Sequence, residues 1–387
     1  MNKSRKIISF FLIVIIILGA CSCGRNNNNL NTNTYVFGQD SQENYFNNNI
    51  SNLSEGTNNY YYLNSNNGYI YSIDKKTYDC VPLCNKVNCL HDKEKDNTNC
   101  DAHIGNVVLG IACYMNNIYC LTSEEYKDKD GNKGILQKMI EISSNGEIKR
   151  TVFEIKDISI WYFKIHRGYI YYTTVRADNS KYAMYRISIS DNNNKPDEFI
   201  KYYNYGTEDT LYVYNTYFYG NYLFLNIRYF SNKNKASYHM ISYNLLANKW
   251  KDINKKLKHK VEDFIILNQK IVYVDRGFKS LYECDFHGKN EKELFKLPKS
   301  NKKMDLYYYP YTDGENLIIA PGNAAPSNIF LFYTKEYNFI GEFKMPFKFA
   351  PDVACNKNVF ITSYNDKLYV IEKTKFVAKK IYEFPSN

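Results

Sequence analysis

No long segment of this 387-residue chain repeats apolar residues at i, i+3, i+4 and i+7, the spacing a core-facing helix needs. Helix is therefore expected to be scarce, and a helical bundle or helical solenoid is excluded. The N-terminal apolar run, Ile7 to Leu18, falls short of the roughly 20 residues that cross a bilayer comfortably, which argues against a membrane-spanning helix there. The chain has no GxxxxGKS/T loop, no HExxH, no GxSxG and no EF-hand phrase. P-loop nucleotide binding, zincin proteolysis, nucleophile-elbow hydrolysis and calcium-hand binding thus have no support. No nucleic-acid-binding motif is present either, so nucleic acid is not an expected partner.

What the chain has in excess is tyrosine, 39 residues within an aromatic content of 17%. Tyr, Phe, Ile and Val favour strands, and short runs of alternating apolar and polar residues recur from end to end. The fold class read from this is all-β. The runs also repeat. An apolar alternation, a small or acidic turn residue and a further strand recur seven times, from GYIYSIDKKTYDCVPLC through SLYECDFHGKNEKELFKL to KLYVIEKTKFVAKKIYEF. Each is preceded by a two-strand piece with a polar turn, as in WYFKIHRGYIYYTTV, DFIILNQKIVYV and DVACNKNVFITSY. About four strands every 45 to 50 residues is the signature of propeller blades. A lone four-stranded sheet cannot cover its two apolar faces, whereas seven arranged radially bury each face on a neighbour. The expected architecture is a single β-propeller of seven four-stranded blades, with six or eight as fallbacks. An open solenoid or a sandwich accounts for the repetition less well.

The N-terminus carries an address. Lys3, Arg5 and Lys6 precede the apolar run, and Leu18-Gly19-Ala20-Cys21 follows it. That box resembles the lipobox of bacterial lipoproteins, in which the cysteine thiol takes a diacylglycerol and the preceding bond is cut. Residues 1–20 are accordingly expected to be a lipoprotein signal peptide, with Cys21 the lipidated residue that anchors the chain to the extracytoplasmic face of the cell membrane. Cys23 matches the box less well, and an uncleaved anchor is the alternative. Residues 21–55 are rich in Asn, Ser, Thr and Gly and read as a disordered tether. The propeller is expected over 56–387, with its first blade least certain because its innermost strand falls in the Asn-rich stretch. The formal charge of +10 drops to about +7 once the three basic residues leave with the signal. The basic stretches Lys255 to Lys260 and Lys299 to Lys303 lie in candidate inter-blade connections, facing either anionic envelope components or plain solvent.

A Cys/His-rich insertion at 80–103 includes CVPLCNKVNCLHDKEKDNTNC. Cys84, Cys89, His91 and Cys100 form a complete tetrahedral donor set for one structural zinc ion. The alternative is a stapled loop of disulfides that includes Cys80, since the compartment permits them. A reactive thiol has less support, because His91 lies on the same loop and no Cys/His/Asn set surrounds it. The blade phrases GYIYY and YRISISD, together with Leu83, Cys84, Cys89, His91, Cys100 and Ala102, resemble propeller lipoproteins of low-GC Gram-positive bacteria. Those proteins carry a domain of unknown function likened to the lipoprotein-receptor-type propeller. Val87 and Asn88 stand where that family usually has Pro and Asp. The resemblance implies a propeller fold, a lipid anchor and a Cys/Cys/His/Cys motif kept together after the first blade. It implies no activity.

Other candidates read as structural. Cys113, Cys120, Cys284 and Cys355 sit in apolar strands, where cysteine packs as a small hydrophobe. His103, His166, His239, His259 and His287 pair with no carboxylate or serine at an informative spacing in the sequence. Tyrosine runs at 60–62, 202–205 and 307–311 offer stacking faces for sugars, but alternation places part of each run between blades. Three function classes follow: a non-catalytic binding module for an envelope glycan or protein, an extracytoplasmic glycan- or peptide-acting enzyme with carboxylates on channel loops, and a structural envelope-assembly lipoprotein. The fold does not choose among them. No catalytic residue is assigned. Candidate ligand contacts are the connections Glu124 to Asn132, Arg176 to Lys181, Phe230 to Ser237 and Pro321 to Ser327.

Overall fold

The computed structural model describes residues 33–43, 51–91, 100–105, 107–175, 183–190, 195–201, 210–230, 236–298, 307–322, 328–345, 347, 354–375 and 377–384. Cys21, the signal segment and Lys299 to Lys303 lie outside these residues. Seven four-stranded antiparallel sheets follow one another at 53–82, 108–156, 159–201, 210–252, 261–296, 308–344 and 354–383. They are blades 1 to 7 of a β-propeller, as the repeats predict. Each blade is built from four consecutive strands, lettered A to D below. Strand B joins the A–B turn to the B–C connection, so these two kinds of loop lie at opposite ends of the ring. Strand D is the rim; Lys249–Asp252 of blade 4 is mostly exposed.

Alternation explains how one sheet serves two neighbours. In the blade 1 strand Asn59–Asn64, Tyr60 and Tyr62 join Val359, Ile361, Leu368 and Val370 of blade 7. Tyr61 and Leu63 turn the other way and join Ile111, Ile118 and Cys120 of blade 2. The tyrosine run at 60–62 is thus divided between two seams by the two-residue period of a strand. The ring closes without strand exchange. Phe384 stacks on Tyr62 with centroids 5.4 Å apart, and Tyr71 meets Tyr382 at 4.9 Å and Phe384 at 5.0 Å. Each large side chain buried in such a seam contributes about 1.5–3 kcal/mol. Cys120 and Cys284 are fully buried in the seams, and burial pushes both thiols up, that of Cys284 to about 12.

The segment expected to be a disordered tether contains two ordered pieces. Leu53–Glu55 is already strand A of blade 1, pairing with Tyr60 to Tyr62. Residues 33–43 form a strap across the A–B turns of blades 2, 3 and 4. Met115 N–H donates to the Gly38 carbonyl at 2.9 Å, and Arg167 N–H to that of Gln39 at 2.7 Å. Asn221 of blade 4 donates to the Asn33 side chain at 3.1 Å. Composition misleads here for a physical reason. The expectation of disorder counts apolar burial, whereas this strap is held by polar groups that satisfy turns otherwise facing solvent.

Candidate functional site

Two arrangements stand out. The first is the Cys/His insertion. Its ends are sewn to blade 1: Leu83 N–H donates to the Ile70 carbonyl at 2.8 Å, Ile70 N–H to Ala102 at 2.9 Å, and Ile104 N–H to Gly68 at 3.0 Å. Gly68 has φ +68°, and a Cβ there would lie 1.8 Å from the Gly105 carbonyl oxygen, so glycine is required. Lys86 pairs with Asp101 at 2.9 Å across the loop. Asn88 and His91 take left-handed φ values of 66° and 53°, which turn the chain sharply on either side of Cys89.

These constraints bring together the ligand atoms of Cys84, Cys89, His91 and Cys100, all within 4.8 Å of one another. His91 Nδ1 is 3.4 Å from Cys89 Sγ and 3.3 Å from Cys100 Sγ. Tetrahedral zinc bound by thiolates and imidazole has ligand–ligand edges of about 3.5–3.8 Å, so the set fits that ion. The surroundings fit as well. Burial pushes the Cys84 thiol up, but the backbone N–H groups of Lys86 and Asp101 and the thiols of Cys89 and Cys100 donate to it, and the net direction is downward. The two backbone N–H donors support a metal-bound thiolate. Cys100 is pushed up to about 12, chiefly by burial. Cys80 is not one of the four, and burial pushes its thiol up to about 12. Among the described residues these cysteines are free thiols.

The second arrangement is a cavity of about 700 Å³ at the A–B end of the ring. Blade 1 supplies Glu55, Tyr60, Lys75 and Tyr78; blade 4 supplies Tyr217 to Tyr219; blade 5 supplies Ile266 to Asn268. Blade 6 adds Thr312 to Glu315 and blade 7 adds Asn356 to Asn358. Tyr35, Phe37 and Glu43 of the strap form the remaining wall. Each carboxylate has a lysine beside it. Glu55 pairs with Lys75 at 2.6 Å, Glu315 with Lys357 at 3.8 Å, Asp313 with Lys373, and Glu43 with Lys164. Asp313 also accepts from the backbone N–H groups of Glu315 and Asn316, which fixes it in its turn.

The strap wall is anchored by groups that the sequence did not single out. His166 is fully buried, and desolvation pushes it down to about 4, so its ring is neutral. Its Nε2–H donates to the Gly220 carbonyl at 2.8 Å and its Nδ1 accepts from Ser41 N–H at 3.2 Å. Asp40 of the strap pairs with Arg167 at 2.6 Å, with almost no exposure on either side chain. The only sequence signal was position: His166 and Arg167 open an A–B turn, HRGY, in blade 3.

The remaining candidates resolve as structure. All four segments picked out from the sequence fall between a strand B and a strand C; 124–132 lies at the end of the ring opposite the cavity, and 176–181 lies outside the described residues. Only 124–132 lies wholly within the described residues; there Glu124 pairs with Lys138 at 2.6 Å and Asp128 caps its own turn. His239 does meet a serine and a carboxylate, contrary to the sequence reading: Nε2 lies 3.2 Å from Ser237 Oγ and Nδ1 2.7 Å from Asp252 Oδ2. The distances suit a nucleophile, base and orienting acid, but the setting does not. Tyr238 and Met240 turn their carbonyls outward to Asn254 and Ile253. By strand alternation the backbones of Ser237 and His239 face Tyr229 and Ile227 in the ladder. Their N–H groups therefore serve the sheet and build no oxyanion hole, and the trio braces strands C and D of blade 4. In Lys255 to Lys260, Leu257 is buried, and Glu291 accepts from the backbone N–H groups of Lys258 and His259. This basic stretch is a pinned inter-blade link. The run at 202–205 lies outside the described residues.

No family description and no curated protein matches the sequence. Among solved structures the chain is similar to a prolyl endopeptidase, with 11% identity and a TM-score of 0.52 over 95% of this chain and 54% of that one. It is similar also to the β-propeller domain of the Trilobed protease from Pyrococcus furiosus, with 10% identity and a TM-score of 0.48 over 71% of this chain and 84% of that one. A third likeness is to Porphyromonas gingivalis dipeptidyl peptidase 4, with 8% identity and a TM-score of 0.49 over 89% and 60% of the two chains. This chain spans about half the length of the prolyl endopeptidase. At these identities the likeness is one of fold alone.

Proposed function

We propose that this chain is a lipid-anchored propeller module on the extracytoplasmic face of the cell membrane, which binds an envelope component at the A–B mouth of its ring and performs no chemistry on it. The observation that carries this reading is the cavity. Its volume lies in the range of small-ligand sites, and its described lining contains no Ser, Cys or His to act as nucleophile or base. Glu55 and Asp313, the carboxylates an enzyme would use there, are each engaged by a lysine. Cys21 holds the anchor in this reading, and Cys84, Cys89, His91 and Cys100 hold one structural zinc that supplies folding energy to the insertion. Membership of the propeller lipoproteins of low-GC Gram-positive bacteria belongs to the same proposal, supported by the fold and by the clustering of the four ligands.

The test is capture from cell-envelope extract by a soluble form beginning at Asn33, beside the same form carrying Asn358→Trp to fill the cavity. Retention of an unaltered component by the first and not the second supports the module. Chemical turnover of the captured material, abolished by Glu55→Gln, Asp313→Asn or Ser237→Ala, would replace it with the enzyme. For the address, Cys21→Ala is expected to release the protein from the membrane fraction; undiminished membrane association would indicate an uncleaved anchor.

A further inference from the structure

We infer that the A–B cavity takes a neutral, polyhydroxylated ligand, a short uncharged oligosaccharide. The inference rests on the binding reading above and narrows it to one ligand class. The first ground is charge. The four lining carboxylates are matched by Lys75, Lys164, Lys357 and Lys373. With each carboxylate paired, the mouth presents dense hydrogen-bonding capacity and little unpaired charge to draw an ion. A phosphate polymer or a strongly charged peptide gains nothing there that offsets its own desolvation.

The second ground is surface type. Tyr35 and Phe37 are 43% and 45% exposed although both line the cavity. Lys75 sits 5.3 Å from the centre of the Phe37 ring and 5.1 Å from that of Tyr60. Aromatic faces bordered by carboxylates and by the amides of Asn268 and Asn358 are what a sugar ring calls for. Its C–H face packs on the aromatic ring while its hydroxyls donate to carboxylate oxygens and exchange hydrogen bonds with amides. The volume accommodates a short oligosaccharide. Because one wall is the strap, the ligand is held between the ring and the chain's own leading segment.

The experiment is calorimetric titration of the soluble form beginning at Asn33 with neutral gluco-, xylo- and chito-oligosaccharides, with polyglycerol phosphate, and with an uncharged peptide library, at low and high salt. Binding of at least one neutral oligosaccharide is expected, insensitive to salt. Phe37→Ala and Tyr35→Ala should each weaken it about three- to tenfold while leaving the unfolding midpoint in place. Binding of the phosphate polymer or of peptides alone, blocked by Asn358→Trp, would overturn the sugar class and leave the module standing. Binding of no probe, or of sugar unaffected by all three variants, would overturn the site. Sugar that is bound and cleaved would keep the ligand class and overturn the non-catalytic reading.

Discussion

The two ends of this propeller differ in a way that reverses first impressions. The B–C end carries the long polar connections, such as Asp128 to Asn132, that a sequence reader marks as binding loops. The A–B end has turns of two or three residues, Met115-Asn116, Arg167-Gly168 and Asn268-Gln269 among them. Yet the cavity is at the A–B end, because short turns leave the channel mouth open and a segment from outside the repeats comes in to wall it. Loop length indicates where a chain can vary. Concavity depends on what the turns leave uncovered.

The difference can be broken first at the strap. Removing residues 33–43 strips Arg167 and Lys164 of their carboxylates and His166 of its donor. Breaking these buried pairs and uncovering the turns beneath them costs about 3–5 kcal/mol, so the denaturant midpoint should fall steeply. Replacing Asp128 to Asn132 at the other end with a two-residue turn should cost under about 0.5 kcal/mol. Equal losses from the two changes would remove the contrast.

Acid sharpens the same point. The unfolded chain protonates His166 near its ordinary 6.5, whereas the folded ring resists until about 4. Asp40 partly opposes this depression, and Arg167 and Lys164 reinforce it. Stability from this group is therefore complete above about 6.5 and is lost as pH falls towards 4, at most about 3 kcal/mol. Subtracting the unfolding free energies of His166→Gln from those of the unaltered chain across this window isolates the effect. A flat difference would mean that burial does not hold His166 neutral in the folded ring.

The Cys/His insertion should behave as a third, independent region. Protein purified under reducing conditions is expected to carry about one zinc per chain. Chelation, or Cys84→Ser, should expose residues 83–103 to proteolysis at a cost on the order of 1–2 kcal/mol, with the cavity's ligand affinity unchanged. Absence of metal, with Cys80 and its neighbours found paired as disulfides in the native protein, would establish the staple instead. Smallest of all, Phe37→Ala should alter stability by under about 0.5 kcal/mol, since its ring belongs to no seam.

Much of this was legible in the sequence, and the failures share a cause. Seven blades could be counted because period-two alternation is imposed on every strand by having a neighbour on each face, as at Tyr60 to Leu63. The Cys84, Cys89, His91 and Cys100 cluster could be named because its members are close in sequence. The strap could not, since its hold on the ring comes from Asp40, Ser41 and Glu43 meeting residues more than 120 positions away, and such pairings leave no local pattern. His239 was passed over for the same reason: its partner Asp252 sits on the next strand, brought opposite only by the hairpin.

The claim that the A–B mouth is the binding end is tested most directly by hydrogen exchange on the soluble form beginning at Asn33, with and without its captured envelope ligand. Protection on binding is predicted for amides of 35–37, 266–268, 312–315 and 356–358, on both sides of the cavity. Protection confined to 124–132, 176–181, 230–237 and 321–327 would contradict it and place the site at the opposite end of the ring.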